Sequence, residues 1–338
     1  MRSTRKILIA LLAGLVVFSS CKTDPKPKPP VTPQTTTSQP KPKKPIKIPS
    51  FDTELAYKNI KGQLAFGPRV PGTPAHEKTK IWLVNYFKGL GLKVTEQDFD
   101  ASSPLGEKYT GTNIIASYKP EQSHRLVLAS HWDSRYISDQ DEKVKDKPVM
   151  GADDGASGVG ILMAIAQVLR DSPADIGVDF VLFDVEDQGA TDQEEDGVTS
   201  TWCQGAQYWA QNLPDPDYKP EFGILLDMVG GKDAYFAQDK VSQVYAGPYV
   251  TKVWSLARAM GYKQYFQNIS SSALIDDHLF VNKIAGIPMM DIINRRNGLF
   301  PTHWHTQHDD ITAIDKKTIH AVGQVLTAVI YHSSVGNL

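Results

Sequence analysis

Residues 151–187 decide the fold: they run GADDGASG at 151–158, VGILMAIAQVL at 159–169 and VDFVLFDVED at 178–187. The first part is a glycine-rich turn, and the second has the apolar content and length of a buried helix. The third part starts with a short apolar run at 178–183, which is typical of a buried strand. A turn, a helix and a buried strand in this order indicate an α/β unit built on a largely parallel sheet.

The same alternation of strand-like and helical patterns continues along the chain on both sides of this unit. Further strand patterns occur at 125–130, 222–226 and 287–293, and further helical patterns occur at 204–212, 250–260 and 311–331. Such alternation predicts a single α/β domain with a central mixed, mostly parallel β-sheet flanked by helices. In sheets of this kind, functional sites gather where the carboxyl ends of the strands meet the loops.

The N-terminal part of the chain differs in composition from the rest. Basic residues precede an apolar run at 7–18, and two serines precede Cys21, which resembles a bacterial lipoprotein signal. Residues 1–20 are therefore predicted to be a signal peptide, and residues 21–50 a lipidated cysteine followed by a tether rich in Pro, Lys and Thr. The folded domain is predicted at 51–338. An ordinary secretory signal or a single-pass anchor is the alternative, although the apolar run is short for a membrane span.

Lipidation at Cys21 would anchor the protein to a membrane of the bacterial cell envelope, and we expect it in the periplasm. Composition argues against nucleic acid as a partner. The 338 residues carry a formal net charge of -2, and the basic residues form no concentrated run in the sequence. The only other cysteine is Cys203, so no disulfide can form within the domain if Cys21 carries lipid. Stability must therefore come from the hydrophobic core.

Acidic residues and histidines follow several of the predicted strands. His131 and Asp133 come after one strand, Asp227 ends another, and three acids lie within 184–187. Each feature alone has a structural explanation, because a carboxylate readily orients an imidazole and an aspartate often caps a helix. Together with the aspartates of the glycine-rich turn and His305, they supply the oxygen and nitrogen ligands that suit catalytic zinc. The sequence therefore predicts a metal site at the carboxyl edge of the sheet.

These motifs resemble those of the zinc aminopeptidase and glutaminyl cyclase superfamily. The shared motifs are HWD at 131–133, GADD at 151–154, DVED at 184–187, LDMVG at 226–230, DDH at 276–278 and HTQHDD at 305–310. The resemblance extends from residue 65 to the C-terminus and implies an α/β domain with a mixed central sheet. It also implies Asp154, Asp187 and His305 as zinc ligands and Glu186 as the residue that transfers protons.

Two enzyme activities occur in this superfamily, and the motifs favour one of them. Aminopeptidases of the family bind two zinc ions, with His131 and Asp227 completing the second site, and both residues are present here. Trp304 before His305 and the ending Asp309–Asp310 resemble the cyclases instead, which typically show Trp-His-Thr-x-x-Asp-Asp. The resemblance therefore favours a bacterial variant of the animal-type glutaminyl cyclases, with one catalytic zinc. A two-zinc aminopeptidase is the alternative.

A glutaminyl cyclase converts the N-terminal glutamine of a peptide or protein into pyroglutamate and releases ammonia. On this hypothesis one zinc polarises the amide carbonyl, and Glu186 moves protons from the attacking amine to the departing nitrogen. Asp277 is expected to hold Glu186 or the departing nitrogen by hydrogen bonds, together with Asp291, which stands where animal cyclases have a histidine. Asp227 is counted with the catalytic residues.

The remaining predicted site residues surround this centre. Trp304 and Trp202 are predicted to form flat apolar walls for the glutamine side chain, with core packing as the alternative for Trp202. His131, Asp133 and Asp291 are expected either to support the zinc ligands or to hold a second metal. A non-catalytic binding module that keeps the fold without its metal is a third hypothesis.

Overall fold

The structure is a computed structural model that describes residues 45–190, 201–213 and 215–338. The predicted signal peptide 1–20, the predicted lipidation site Cys21 and most of the predicted tether lie outside the described residues. Within the described part, no helix has the length and apolar character that crossing a membrane requires.

Two residues of the predicted tether contact the folded domain. A compact unit spans Lys43–Leu338, and the side chains of Ile46 and Ile48 already pack against its hydrophobic core. The last residues of the predicted tether therefore lie against the domain.

Eight strands occur in the described residues, and six of them form the central sheet. The strands are β1 (Lys93–Ser102), β2 (Lys108–Tyr118), β3 (Arg125–His131), β4 (Gly177–Phe183), β5 (Phe222–Asp227), β6 (Phe236–Gln238), β7 (Phe266–Ser270) and β8 (Met289–Ile293). The sheet order is β1-β2-β4-β3-β5-β8, and β6 pairs with β7 separately. Strands β4, β3, β5 and β8 run parallel, whereas β2 is antiparallel to both β1 and β4. The predicted mixed, mostly parallel sheet is confirmed.

Helices cover both faces of this sheet, as predicted. They are α1 (Thr53–Leu64), α2 (Pro74–Gly89), α3 (Ala156–Asp171), α4 (Gln204–Gln211), α5 (Lys240–Ala259), α6 (Asp277–Phe280) and α7 (Lys316–Ser334). Helices α1, α3 and α7 contribute to one hydrophobic core, whereas α4, α6 and the π-helical turn Val281–Ala285 contribute to a second core.

The two cores arise because successive strand side chains point to opposite faces of a sheet. In β3, Leu126 and Leu128 belong to the larger core with α3, whereas Val127 and Ala129 belong to the smaller core with α4. All four side chains are fully buried. A strand with apolar side chains on both faces is expected where both faces of the sheet are covered, and β3 lies in the centre of the sheet between β4 and β5.

Helix α5 differs most from its predicted bounds. It begins at Lys240 rather than at 250 and contains Pro248 in its interior. The backbone is non-helical at Ala246, with φ −124° and ψ 19°, so the helix bends just before the proline. A proline usually ends a helix, and the sequence pattern therefore indicated only the segment after it.

Candidate metal centre and substrate pocket

The five predicted ligand residues converge at the carboxyl edge of the sheet. His131 ends β3, Asp227 ends β5, and Asp187 follows β4. Asp154 comes from the glycine-rich turn before α3, and His305 comes from the loop between β8 and α7. None of the five residues is more than 8% exposed. They meet because parallel strands place their carboxyl ends at one edge of the sheet.

Asp154, Asp187 and His305 form the first ligand group. His305 Nε2 lies 2.9 Å from Asp187 Oδ1 and 3.7 Å from Asp154 Oδ2. Burial raises the pKa of the Asp187 carboxyl, while His305 lowers it and the charge of Asp154 raises it. Two buried carboxylates beside one imidazole form a donor set whose negative charges a divalent cation would neutralise. The group fits the oxygen and nitrogen ligands of a catalytic zinc.

A second ligand group shares Asp154 with the first. His131 Nε2 lies 2.9 Å from Asp154 Oδ1 and 3.2 Å from Asp227 Oδ1. One ligand atom from each of these three residues lies within 4.8 Å of the others, as in the first group. The fold therefore brings together all the side chains that a two-zinc centre would need.

Asp133 holds the segment that carries Glu186 and Asp187. Its carboxylate accepts hydrogen bonds from the backbone amides of Glu186 and Asp187, both at 3.1 Å, and from Gln188 Nε2 at 2.9 Å. Its Oδ1 also lies 3.4 Å from His131 Nδ1. Asp133 thus orients residues that follow two different strands, as carboxylates around metal ligands commonly do.

Asp309 holds the turn that carries Asp154. Its carboxylate is fully buried and accepts hydrogen bonds from the amides of Asp153 at 2.8 Å and Asp154 at 3.2 Å. Burial, together with the nearby carboxylates of Asp153 and Asp154, raises the pKa of Asp309 to about 8. The sequence showed Asp309 only as part of a motif, and its task in holding the turn was not predicted.

Aromatic and acidic neighbours fix the ring of His305. Trp304 stacks on it with 3.8 Å between ring centroids, and the Trp202 ring lies nearly parallel at 6.1 Å. His305 Nδ1 lies 3.2 Å from Asp139 Oδ1, and this oxygen accepts a hydrogen bond from Arg135 Nε at 2.9 Å. The two predicted tryptophans are thus both beside the ligand. Asp139 and Arg135 were not predicted, because no motif spacing marks them.

Glu186 lines the same pocket as the ligand residues, with its side chain 14% exposed. Its Oε1 accepts a hydrogen bond from Cys203 Sγ at 3.3 Å, and its Oε2 lies 4.0 Å from His131 Nδ1. Burial raises the pKa of Glu186 well above its ordinary value, while His131 lowers it and Asp187 raises it. A carboxyl with a raised pKa can both release and accept a proton, which is what a shuttle must do.

A second carboxylate, that of Asp276, lies beside Glu186. Side-chain atoms of Glu186, Cys203 and Asp276 lie within 4.8 Å of one another, and Asp276 lines the pocket described below. The sequence prediction named the neighbouring Asp277, whose side chain is fully buried and does not line that pocket. The charges of both aspartates, Asp277 and Asp276, raise the pKa of Glu186, so both act on it.

Asp291 lies on β8 beside Asp276 and is fully buried. Its backbone amide donates to Ser242 Oγ at 2.9 Å. Burial raises the pKa of the Asp291 carboxyl well above its ordinary value, and the charges of Asp276 and Asp239 raise it further. Asp291 therefore contacts Asp276 directly, and Asp276 in turn lies beside Glu186.

A pocket of about 350 Å³ opens beside the ligand residues. Its acidic lining consists of Asp154, Glu186, Asp187, Asp227 and Asp276, and its apolar lining includes Trp202, Met228, Leu274, Ile293, Phe300 and Trp304. Phe300 stacks on Trp304 with 4.3 Å between centroids, which braces the indole. An acidic side next to flat apolar walls suits a small ligand that carries an amine and a short side chain.

Comparison with known proteins identifies the family. A model of peptidase family M28 matches residues 113–330, which is more than half of the chain. The chain belongs to peptidase family M28. The match contains every residue of the two ligand groups as well as Glu186.

Three relatives of this M28 chain show two activities. A glutaminyl cyclase of Bacteroides thetaiotaomicron, solved with N-acetylhistamine, is 40% identical with a TM-score of 0.81 and is matched over 84% of this chain and 99% of its own. A leucine aminopeptidase precursor from the same organism is 41% identical with a TM-score of 0.81, over 85% and 99%. A glutaminyl-peptide cyclotransferase of Bothrops jararaca is 24% identical over 78% of this chain and 76% of its own.

Two further histidines of the M28 chain lie near His305 in sequence but belong to neither ligand group among the described residues. His303 Nε2 lies 2.8 Å from Asp153 Oδ2, so it pairs with the aspartate next to the ligand Asp154. His308 is adjacent to Asp309 in the chain. Of the three histidines, only His305 was predicted as a ligand.

Proposed function

We propose that this chain is a glutaminyl-peptide cyclotransferase, which converts the N-terminal glutamine of peptides and proteins into pyroglutamate and releases ammonia. The observation that carries the proposal is a pair of carboxylates, Glu186 and Asp276, in a small pocket next to the first ligand group. The proposal is supported by the 40% identity of this chain to a bacterial glutaminyl cyclase, which is matched over 99% of the cyclase's length. Ring closure within glutamine needs confinement and proton transfer, and this pocket offers both.

Asp154, Asp187 and His305 would hold the catalytic zinc. When bound, zinc supplies Lewis-acid polarisation of a carbonyl oxygen, here that of the glutamine amide. We propose a single catalytic ion, because the reaction consumes no water and needs no metal-activated nucleophile. Three protein ligands leave one position of a tetrahedral shell for substrate.

The lining of the pocket accounts for how an N-terminal glutamine is held. Trp304 and Trp202 offer flat apolar surfaces to its two methylene groups. The α-amine of the substrate faces the acidic side of the pocket. Asp227 lies on that side and outside the first ligand group, so its carboxylate can accept a hydrogen bond from the α-amine. Holding the amine close to the amide carbon lowers the entropic cost of ring closure.

Glu186 balances the protons of the reaction. The α-amine nitrogen forms a bond to the side-chain amide carbon, and the bond between that carbon and the amide nitrogen breaks. Glu186 accepts the proton that the attacking nitrogen loses and donates it to the departing nitrogen, which leaves as ammonia. No proton is consumed overall, so one carboxyl with a raised pKa is sufficient. Asp276 is placed to accept a hydrogen bond from Glu186 while Glu186 carries the proton.

A zinc aminopeptidase is the second candidate function, because a specific observation favours it. His131 and Asp227 complete a second ligand group around Asp154, which is the donor set for two ions. The leucine aminopeptidase precursor is as similar to this chain as the cyclase is. On this hypothesis Glu186 would activate a water molecule, and the N-terminal residue would be released.

The proposed function is tested with the purified protein and a peptide that begins with glutamine. We expect one ammonia per peptide and an N-terminus that no longer reacts with amine reagents. Glu186→Gln is the control for spontaneous cyclisation. Release of free glutamine without ammonia would favour the aminopeptidase.

We also propose that the protein is anchored to a membrane of the cell envelope through lipid on Cys21 and acts in the periplasm. The pattern of basic residues, apolar run, two serines and cysteine in residues 1–21 supports this location. The proposed substrates are then peptides and proteins with N-terminal glutamine in that compartment.

A further inference from the structure

We infer that Cys203 is a positioning residue for Glu186: its thiol holds one carboxylate oxygen and leaves the other for proton transfer. The inference rests on the proposed function, in which Glu186 carries the protons. Sequence patterns do not mark Cys203 for this task, because it belongs to none of the shared motifs and bears only on disulfide bonding.

Backbone hydrogen bonds bring residues 203–205 alongside residues 184–186. The three amides of 203–205 donate to the three carbonyls of 184–186 in reverse order, at 2.9 Å, 3.0 Å and 3.0 Å. The first of these bonds joins the Cys203 amide to the Glu186 carbonyl. The backbone therefore fixes Cys203 beside Glu186 independently of their side chains.

The side chains then make a second contact between the same two residues. Cys203 Sγ lies 3.3 Å from Glu186 Oε1, within hydrogen-bonding range for a sulfur donor. An oxygen of Asp276 lies within 4.8 Å of both groups. A bond at Oε1 fixes the plane of the carboxylate and leaves Oε2, which lies 4.0 Å from His131 Nδ1, on the side of the ligand residues.

The backbone conformation of Cys203 adds an independent observation. Its φ of 57° and ψ of 33° place it in the left-handed region, which a residue with a Cβ atom adopts only at a cost. Glycine would fill this position without that cost. A side chain is present nonetheless, and its sulfur contacts Glu186.

The chemistry of a buried thiol suits this task. Cys203 is fully buried within the smaller core, where Phe183 and Ala206 are among its members. Burial raises the pKa of the thiol well above its ordinary value, and the charge of Glu186 raises it further, so the sulfur keeps its proton. A thiol is a weak donor, and it can orient the carboxylate without retaining the proton that Glu186 must transfer.

Cys203→Ala and Cys203→Ser form a matched pair of variants, because they differ by a single hydroxyl donor. In the full-length protein we expect Cys203→Ala to lower kcat roughly tenfold or more with little change in KM, since misplacing a catalytic group by a fraction of an ångström slows the reaction. Cys203→Ser should restore most of kcat. An alanine variant as fast as wild type would overturn the inference. Equal losses in both variants, with zinc content unchanged, would also overturn it and assign Cys203 to packing.

A spectroscopic measurement tests the same contact without turnover. In full-length protein that carries Cys21→Ser, Cys203 is the only thiol, so its S–H stretching band in the infrared is uniquely assigned. We expect Glu186→Ala to move the band to higher frequency, because the S–H bond loses its acceptor. The exposed Glu107→Ala is the control and should leave the band in place. A band that Glu186→Ala does not move would contradict the hydrogen bond.

Failure of this inference and failure of the proposed function give different results. If the wild-type protein releases leucine from peptides and no ammonia, the proposed function is wrong. The alanine and serine variants can then be compared on leucine release, because Glu186 transfers the proton in either reaction. If wild type forms pyroglutamate and Cys203→Ala does so equally fast, only the inference about Cys203 is wrong.

Discussion

At the residue scale, Glu186 and Asp187 are neighbours in the chain with different tasks, so substitutions can separate them. Glu186→Gln should keep zinc and fold and lower turnover by about 10²–10⁴-fold, because an amide cannot carry the proton. Asp187→Ala should lose the metal instead, since one of its ligands is removed. Metal analysis beside activity measures both, and we expect one zinc per wild-type chain. Near-native turnover of Glu186→Gln would refute its role, and two required zinc ions would favour the aminopeptidase.

The two consecutive aspartates of the DDH motif give a second comparison. Asp276 lines the pocket beside Glu186 and Asp277 is fully buried, and the charges of both raise the pKa of Glu186. We therefore expect Asp276→Asn to lower kcat at least about tenfold, because Glu186 loses a charged hydrogen-bond partner. Asp277→Asn is the matched variant and should lower kcat as well, because the charge of Asp277 also acts on Glu186. Near-native kcat in either variant would refute the role of that aspartate.

Residues in the motifs could be predicted, and residues outside them could not. The predicted ligand residues and Glu186 lie in motifs that resemble those of the superfamily, so the resemblance could name them as candidates. Asp139 and Cys203 act through contacts between segments far apart in the chain, and no spacing records such contacts. The DDH motif supplied Asp277 as a candidate, and the structure adds its neighbour Asp276, because the charges of both raise the pKa of Glu186.

At the scale of secondary structure elements, burial on both faces made the central strands predictable. β3, β4, β5 and β8 are buried at every position and are mostly apolar, although Asp179 interrupts β4 and Asp291 interrupts β8. The edge strand β1 is mostly exposed and polar, so it carries no apolar run, and the sequence pattern did not reveal it. In the centre of the sheet the local sequence indicates the strands that the tertiary structure contains, whereas at the edge the strand depends on tertiary context alone.

The turn between β3 and α3 is the element on which the shared ligand depends. Asp309 accepts the amides of Asp153 and Asp154, so Asp309→Ala should loosen the turn and weaken zinc binding by about 10–100-fold. Competition with a chelator measures this affinity. The control is Asp310→Ala, which removes only a contact to the Thr312 amide and should leave zinc binding unchanged. Unchanged affinity in Asp309→Ala would contradict the role of Asp309 in this turn.

At the scale of the whole molecule, location depends on the segment that precedes the domain. We expect Cys21→Ser to move the protein from the membrane fraction to the soluble fraction or to block its processing, because acyl chains would provide the anchor. Cys203→Ser, which changes the other cysteine, is the control and should stay with the membrane. Immunoblots of fractionated cells report the result. A cleaved Cys21→Ser protein that still sediments with membranes would exclude this anchor.

The fold itself serves both candidate activities, since the ligand groups, Glu186 and the sheet are common to them. What differs is the use of the pocket. A cyclase needs a small volume with flat walls, which Trp304 and its neighbours provide, and an aminopeptidase needs the scissile peptide bond and a water molecule together at the metal. The reaction products therefore separate the two activities more sharply than any further feature of the fold.

The most direct measurement mixes two peptides that differ only in their first residue, Gln or Leu, and follows both by mass spectrometry in one reaction with wild-type protein. Glu186→Gln protein serves as the control for spontaneous cyclisation. We predict that the Gln peptide loses the mass of one ammonia and becomes blocked, and that the Leu peptide stays intact. Release of leucine at comparable efficiency, with the Gln peptide shortened by a whole residue, would contradict the proposed cyclase.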